Sequence, residues 1–231
     1  MNVLSPETLF DLRHTAAQEL LALAKFPWEI LPKLRDFIIA YGQTLSPEEY
    51  DHPGDGIWIA KSASVAPSAE IHGPVVIGAN TEVRHGAFIR GSALVGEGCV
   101  VGNSCELKNC VLFDEAKTPH YNYVGDSILG HGAHMGAGAV TSNVKSDKTN
   151  VVIRWQEPEP GELETGLRKL GAMLGDFAEI GCNSVLNPGT VVGRDTNIYP
   201  LSSVRGVVPS GHIYKNAEEI IEKRLYETES L

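Results

Sequence analysis

Between Ile59 and Leu107 every sixth residue is aliphatic, a spacing that fits neither an α-helix nor an ordinary amphipathic strand. Four positions after each aliphatic residue comes a small or β-branched one, as Ala63 follows Ile59. A fixed six-residue repeat predicts a triangular β-solenoid with three short strands per coil. The aliphatic side chain fills the axis, and the small residue lets the chain turn. The aliphatic positions of this series are Ile59, Val65, Ile71, Ile77, Val83, Ile89, Val95, Val101 and Leu107.

The same pattern returns twice, from Tyr123 to Met135 and from Leu174 to Val204. The three series contain nine, three and six hexads, or about six coils. Solenoids built from hexapeptide repeats are left-handed, against the usual right-handed preference of parallel crossovers. We therefore predict a mainly β chain folded as a left-handed parallel β-helix.

The segments outside the repeat predict three further features. Residues 1–55 are expected to be helical and to cap the open end of the solenoid or pack on its side. The solenoid is expected over 56–213, with ejected loops at about 114–122 and 144–171, where binding and catalysis usually sit. Residues 214–231 are expected to form a short C-terminal helix. The helical patterns run over Leu9–Leu23, Trp28–Tyr41 and Asn216–Glu227.

The net charge and the cysteine content limit the kinds of partner and cellular compartment that we expect for this protein. The formal net charge of −10 argues against a nucleic-acid-binding protein, which should be basic. The four cysteines fit no disulfide framework and indicate reduced thiols in a cytoplasmic protein. We expect neither a signal peptide nor a membrane span.

His120 is the strongest candidate for chemistry from the residues alone. Hexapeptide solenoids mostly serve acyl transfer from a thioester to an amine or hydroxyl, and such an acceptor needs a general base. His120 lies in Pro119-His120-Tyr121, within a segment that breaks the regular repeat. A solvated surface histidine is the alternative interpretation.

Three segments carry a resemblance to a known family: Gly102–Lys108, His120–Asp126 and Gly136–Asn143. The stretch from Arg90 to Asn143 resembles the acetyltransferase domain of the bifunctional enzyme that makes UDP-N-acetylglucosamine. The resemblance implies an acetyl-CoA-dependent N-acetyltransferase acting on glucosamine-1-phosphate. It also implies a homotrimer with active sites between neighbouring subunits.

The resemblance assigns roles on the acceptor side of the site. His120 falls on the catalytic base of the family. Arg90 and Lys108 fall on its sugar-phosphate ligands, and Tyr123 and Asn143 fall on residues that contact the sugar. Two basic side chains one or two coils apart would form an anion clamp on an otherwise acidic protein.

The resemblance also implies a donor side. Ala137 falls where acetyl-CoA passes, and backbone amides of 136–138 would stabilise the oxyanion. Cys182 and Pro200 stand where the acetyl-CoA half of the family has small residues. Lys215 stands in for a terminal arginine that meets the CoA phosphate. No metal is required for direct transfer.

This chain departs from the family pattern at several positions. His134, Val144 and Thr149 replace an asparagine, a tyrosine and a lysine. The long loop with Arg168 and Lys169 resembles the acetyltransferase portions of archaeal-type sugar-1-phosphate nucleotidylyltransferases, some of which accept galactosamine-1-phosphate. The two basic residues would then contact phosphate or CoA, or belong to a solvated loop. Nothing in residues 1–58 resembles the uridyltransferase domain.

Three other functions fit the repeat. The chain could acylate a different acceptor, or bind a sugar phosphate without turnover. A zinc enzyme of the γ-carbonic-anhydrase type would use three histidines across a subunit boundary. Its candidate ligands are His85, His120, His131 and His134.

Overall fold

The chain winds into a prism whose three faces are built from short β-strands. The computed structural model describes residues 3–156 and 159–224. The early strands are β1 (Tyr50–Gly54), β2 (Ile57–Ala60), β3 (Ser64–Val65), β4 (Glu70–Ile71), β5 (Val75–Ile77), β6 (Glu82–Val83), β7 (Phe88–Ile89), β8 (Ala93–Val95) and β9 (Val100–Asn103). The middle strands are β10 (Glu106–Leu112), β11 (Lys117–His120), β12 (Tyr123–Leu129), β13 (His134–Met135), β14 (Val140–Thr141), β15 (Val152–Trp155) and β16 (Gly161–Glu164). The late strands are β17 (Ala172–Leu174), β18 (Glu179–Ile180), β19 (Val185–Leu186), β20 (Thr190–Val192), β21 (Asn197–Ile198), β22 (Ser203–Val204), β23 (Val207–Val208), β24 (His212–Asn216) and β25 (Glu219–Glu222).

Each face is a ladder of parallel strands, one per coil. Face 1 contains β2, β5, β8, the second halves of β10 and β12, β17, β20 and β23. Face 2 contains β3, β6, β9, β11, β13, β18, β21 and β24. Face 3 contains β4, β7, the first halves of β10 and β12, β14, β19 and β22. The chain is therefore the left-handed parallel β-helix that the repeat predicted.

Stacked inward side chains form the axis of the prism. Ile59 pairs with Ile77, and Ile77 with Val95, so each axial residue packs on the one a coil earlier. Face 1 contains eight strand segments, whereas the hexads predicted about six coils. Two of the steps between inward residues have five residues instead of six. They interrupt the six-residue pattern, so the sequence analysis missed the additional coils. These steps run from Leu107 to Leu112 and from Val124 to Leu129.

The prediction that residues 114–122 form a loop ejected from the solenoid is wrong. Lys117–His120 is β11, which pairs with β9 and β13 on face 2. The side chain of Thr118 is fully buried in the axis, and a threonine there hides the aliphatic pattern. The five-residue step also moves Val124, instead of Tyr123, into the axis, so Tyr123 faces outward.

The C-terminal helix was also predicted wrongly, as far as the structure describes the segment. β24 continues face 2 and places Tyr214 at the end of the axis, 5% exposed. β25 then pairs antiparallel with β24, which covers the last strand edge with a short hairpin. Ile220 and Ile221 favour this extended conformation because they are β-branched. Residues 225–231 lie outside the described residues.

The N-terminal segment packs on the side of the prism, one of the two placements the sequence allowed. Its helices are α1 (Pro6–Leu9), α2 (Gln18–Ala22) and α3 (Leu34–Gly42), with 3₁₀ turns at Leu12–His14 and Pro27–Lys33. Leu34 and Ile38 of α3 join a core with Val76, Leu94 and Val111, which point outward from face 1. Among the described residues, no helix is long and apolar enough to cross a membrane.

The excursion at 144–171 folds back instead of extending into solvent. β15 and β16 form an antiparallel hairpin. Val151 and Ile153 are fully buried beside Val191 in the core that covers face 1. The N-terminal segment and this hairpin therefore cover face 1 and leave faces 2 and 3 uncovered.

Candidate functional site

His120 ends β11 at the corner between faces 2 and 3, where its side chain is exposed. The turn that follows places Tyr121 in the left-handed region at φ 53°. The backbone N–H of His120 donates to Asn122 Oδ1 at 3.1 Å. The Asn122 amide nitrogen donates to the carbonyl oxygens of Gly136 at 2.8 Å and Ala139 at 3.0 Å. This amide thus fixes the turn that presents His120 to the next coil.

Asn122 is a positioning residue that the sequence analysis missed. It is 2% exposed and occupies the position where neighbouring coils have Cys105 and Ala139. A buried amide is stable only when its donors and acceptors are used, as they are here. A polar residue in a series of small apolar ones was the available signal.

A buried carboxylate organises the far end of face 3. Asp126, 3% exposed, accepts hydrogen bonds from Lys108 Nζ at 3.1 Å, Asn109 Nδ2 at 2.7 Å and Asn143 Nδ2 at 2.5 Å. Asn143 Nδ2 also lies 3.2 Å from the Tyr123 hydroxyl oxygen, to which it donates. We call these five residues the Asp126 cluster. It brings three of the predicted acceptor residues together, whereas the role of Asp126 itself was not predicted.

Tyr123 is positioned to act as a neutral hydrogen-bond donor. Burial raises the pKa of its hydroxyl above the ordinary value, and the nearby Asp126 carboxylate raises the pKa further. The hydrogen bond from Asn143 acts in the opposite direction. The phenol therefore keeps its proton at neutral pH and can donate it to a ligand oxygen.

Arg90 lies beside Lys108 at the same position of the preceding coil, because the Arg90 N–H donates to the Leu107 carbonyl at 2.8 Å. Its guanidinium forms an ion pair with Glu106 at 2.6 Å. The two predicted phosphate ligands therefore each face one carboxylate, Glu106 for Arg90 and Asp126 for Lys108. Both retain unused N–H donors, but the four charged groups have no net charge.

The predicted donor residues line the same corner as His120. The carbonyl of His120 accepts from Gly138 N at 3.0 Å, that of Ala137 from Asn183 N at 2.8 Å and that of Cys182 from Leu201 N at 2.9 Å. Ala137, Cys182 and Pro200 therefore follow His120 on successive coils. With about 4.8 Å between strands, this column extends roughly 14 Å from His120.

One part of the donor prediction changes in detail. The amides of Gly136 and Gly138 donate to Ile180 O at 2.7 Å and His120 O at 3.0 Å, so they are not available to an oxyanion. Cys182 is exposed at the corner.

Lys215 lies on β24, one coil beyond the Pro200 corner, and its ammonium forms an ion pair with Glu219.

The histidines proposed as zinc ligands have other contacts. His131 stacks on His14 with ring centroids 3.8 Å apart, and His134 Nδ1 lies 2.8 Å from Glu179 Oε2. His85 Nδ1 lies 2.6 Å from Ser68 Oγ. Within residues 3–156 and 159–224, no group of three or more His, Cys, Asp or Glu side chains could hold a metal ion.

Known proteins resemble this chain over the solenoid. Residues 71–154 match the family model of the GMPPB C-terminal domain. An uncharacterized acetyltransferase of Escherichia coli, YaiX, is 32% identical over 170 residues, which cover 66% of this chain and 72% of YaiX. The bifunctional protein GlmU of Methanococcus maripaludis is 32% identical over 139 residues, which cover 60% of this chain and 33% of GlmU. A solved structure of perosamine N-acetyltransferase from Caulobacter crescentus gives a TM-score of 0.37 at 17% identity, covering 73% of this chain and 56% of that one.

The match to YaiX covers more than two thirds of that protein. The chain belongs to the acetyltransferases built on a GlmU-type left-handed β-helix. It spans about one third of the length of the Methanococcus GlmU relatives that it matches.

Proposed function

We propose that this chain transfers the acetyl group of acetyl-CoA to the amine of an amino-sugar-1-phosphate, either glucosamine-1-phosphate or galactosamine-1-phosphate. The observation that carries the proposal is the position of His120. Its exposed side chain lies at one end of face 3, which carries the Asp126 cluster at its other end, and the column from Ala137 to Pro200 continues from it along the same corner. Acceptor and donor would meet at this histidine.

In the proposed reaction, His120 acts as general base. Its neutral imidazole takes a proton from the sugar amine as the nitrogen attacks the thioester carbonyl carbon. The tetrahedral intermediate then collapses, the carbon–sulfur bond breaks, and the imidazolium returns the proton to the departing thiolate. The products are the N-acetylated sugar and free CoA, with no covalent enzyme intermediate.

The remaining residues would orient the two substrates. Tyr123 and Asn143 would hydrogen-bond the sugar, and the free N–H donors of Arg90 and Lys108 would reach phosphate oxygens. The corner with Ala137, Cys182 and Pro200 would hold the pantetheine arm of CoA. Correct placement of amine and thioester contributes much of the rate enhancement in such two-substrate reactions.

The test is release of free CoA thiol from acetyl-CoA, with the two amino-sugar phosphates assayed side by side. We expect His120→Ala to lower kcat at least ~10²-fold without changing the melting curve, because the exposed side chain has no hydrogen bond or ion pair among the described residues.

His85→Ala is the matched control. His85 is exposed on the same corner two coils earlier, and its removal should leave turnover intact. Unchanged activity of His120→Ala would exclude His120 as the base. If the wild-type chain binds sugar phosphate but releases no thiol, the non-catalytic alternative is correct.

A further inference from the structure

The acceptor site described above lacks net positive charge. A phosphate monoester is close to a dianion at neutral pH, but Arg90 and Lys108 are compensated by Glu106 and Asp126. Asp126 is also fixed by two amides, so Lys108 cannot be released without leaving a buried carboxylate short of partners. On a chain of net charge −10, a dianionic ligand needs uncompensated cations nearby.

The returning end of the 144–171 excursion supplies such cations. Val144 and Lys169 form an antiparallel bridge directly after Asn143. Leu170 N donates to the Asn143 carbonyl at 3.0 Å, and Gly171 N donates to the Asp126 carbonyl at 2.8 Å. The two residues that directly follow Arg168 and Lys169 are therefore hydrogen-bonded through their backbone to two members of the Asp126 cluster.

The side chains of Arg168 and Lys169 are exposed, and neither has an ion pair or side-chain hydrogen bond among the described residues. Lys148 is also exposed and without an ion pair among the described residues, whereas the other two cations of the excursion are paired. Lys145 pairs with Asp147 at 3.3 Å, and Arg154 pairs with Glu162 at 3.1 Å.

We propose that Arg168 and Lys169 form the anion subsite of the acceptor, where they attract the phosphate of the amino-sugar phosphate. Arg90 and Lys108 then orient the phosphate through their free N–H groups, whereas Arg168 and Lys169 provide the charge that binds it. The long excursion delivers both residues to a corner that the solenoid itself leaves neutral. This inference rests on the proposed function, and it names its charge-recognition residues.

The test separates phosphate binding from turnover. Glucose-1-phosphate carries the phosphate but no amine, so its binding can be measured by calorimetry without reaction. The double variant Arg168→Gln/Lys169→Gln is expected to weaken that binding ~10- to 100-fold and to reduce its dependence on salt. In the thiol-release assay the same variant should raise the KM for the sugar phosphate, leave kcat within a few-fold, and leave the KM for unphosphorylated glucosamine unchanged.

The control is Lys148→Gln/Arg154→Gln, which removes the same charge from the same excursion away from the bridge. Equal weakening in both double variants, or glucose-1-phosphate binding unchanged in Arg168→Gln/Lys169→Gln, would overturn the subsite. So would a wild-type chain that does not bind glucose-1-phosphate. If the wild type binds this ligand through the two residues but releases no CoA, the subsite stands and the acetyltransferase proposal fails. If turnover is present and the double variant keeps the wild-type KM, the proposed function stands and the subsite fails.

Discussion

At the scale of single residues, the acceptor side depends on one buried carboxylate. Asp126 accepts from three side chains of the cluster, Lys108 and Asn109 on the preceding coil and Asn143 on the following one. Its backbone φ of 49° places it in a tight left-handed turn, within one of the five-residue steps. The shortened step and the cluster are therefore parts of the same local structure.

Asp126→Ala should destabilise the chain and impair acceptor binding together. The change leaves Lys108 without its ion-pair partner and removes the carboxylate acceptor from the amides of Asn109 and Asn143. Because Lys108 is partly exposed, we expect a loss of about 2 kcal/mol in the free energy of unfolding, less than for a fully buried pair. Urea denaturation and the KM for sugar phosphate measure the two effects.

Asp126→Asn is the matched variant. It keeps the size and one carbonyl oxygen and loses the charge, so its effects should be smaller but of the same sign. A stable Asp126→Ala variant with the wild-type KM would show that the cluster does not position substrate.

The four cysteines should react very differently with thiol reagents. Burial raises the pKa of the Cys99 and Cys110 thiols to about 12, and burial also raises the pKa of Cys105. A raised pKa keeps these thiols protonated at pH 8, and the thiolate is the reactive form. Cys182 is exposed. We expect iodoacetamide at pH 8 to add one group per folded chain, at Cys182, as read by mass spectrometry.

Acetyl-CoA should slow this reaction if the Cys182 corner holds the donor. Labelling of the Cys182→Ser variant should be negligible until the protein is unfolded. Rapid labelling of that variant in its folded state would contradict the burial of the other three thiols.

At the scale of elements, the six-residue pattern predicted the regular part of the solenoid. The prediction failed where buried side chains both fill the interior and form hydrogen bonds to other coils. Inward residues from Ile59 to Leu107 follow a simple volume rule, and all of them appear in the axis. Thr118 and Asn122 are polar and buried. Their side chains are tolerated there because they form hydrogen bonds to other coils, and these bonds cannot be predicted from the local sequence pattern. The candidate base and the candidate sugar ligands were predicted from the resemblance, whereas Asn122 and Asp126 needed the three-dimensional contacts.

Gly102→Ala tests how β9 supports the catalytic corner. A Cβ at Gly102 would lie 1.6 Å from the carbonyl oxygen of Pro119, so β11 would have to move together with His120. Overpacking of this kind costs about 3 kcal/mol, and we expect kcat to fall more than ~10-fold. Thermal melting and the thiol-release assay measure the two effects.

Gly54→Ala is the control, because a Cβ there meets only Ile57 Cδ1 at 3.5 Å. Wild-type activity in Gly102→Ala would mean that the position of β11 does not control the reaction.

At the scale of the whole molecule, the described parts of the N-terminal segment and the 144–171 excursion cover face 1 and leave faces 2 and 3 available for contact with other copies of the chain. Leu201 is 80% exposed and Tyr121 is 63% exposed, and both lie at the corner of His120. Exposed large apolar side chains at one site indicate a contact surface. We propose that three copies assemble around this corner, so that each active site lies between two neighbours.

Light scattering should then give three times the 24.9 kDa mass of one chain. Leu201→Asp should dissociate the assembly and reduce turnover, because it places a charge in the contact. Leu23→Asp, at a residue 89% exposed on the N-terminal segment, should leave the mass unchanged. A monomeric wild-type chain with full activity would rule out the assembly.

The path of the N-terminal segment has a consequence for how the chain unfolds. The backbone N–H of Asp114 donates to His14 O, that of Asp176 donates to Leu9 O, and Arg194 Nη2 donates to Glu7 O, so one short stretch contacts three different coils. A bare solenoid behaves as a one-dimensional array in which each repeat interacts with its nearest neighbours only, and such an array can fray progressively from either end. Here the N-terminal segment contacts several coils at once. Unfolding of one of these coils therefore removes contacts that also stabilise the others. The interactions that position the corner of His120 are then lost in one cooperative event, and the array gains a resistance to fraying that its repeats alone would not provide.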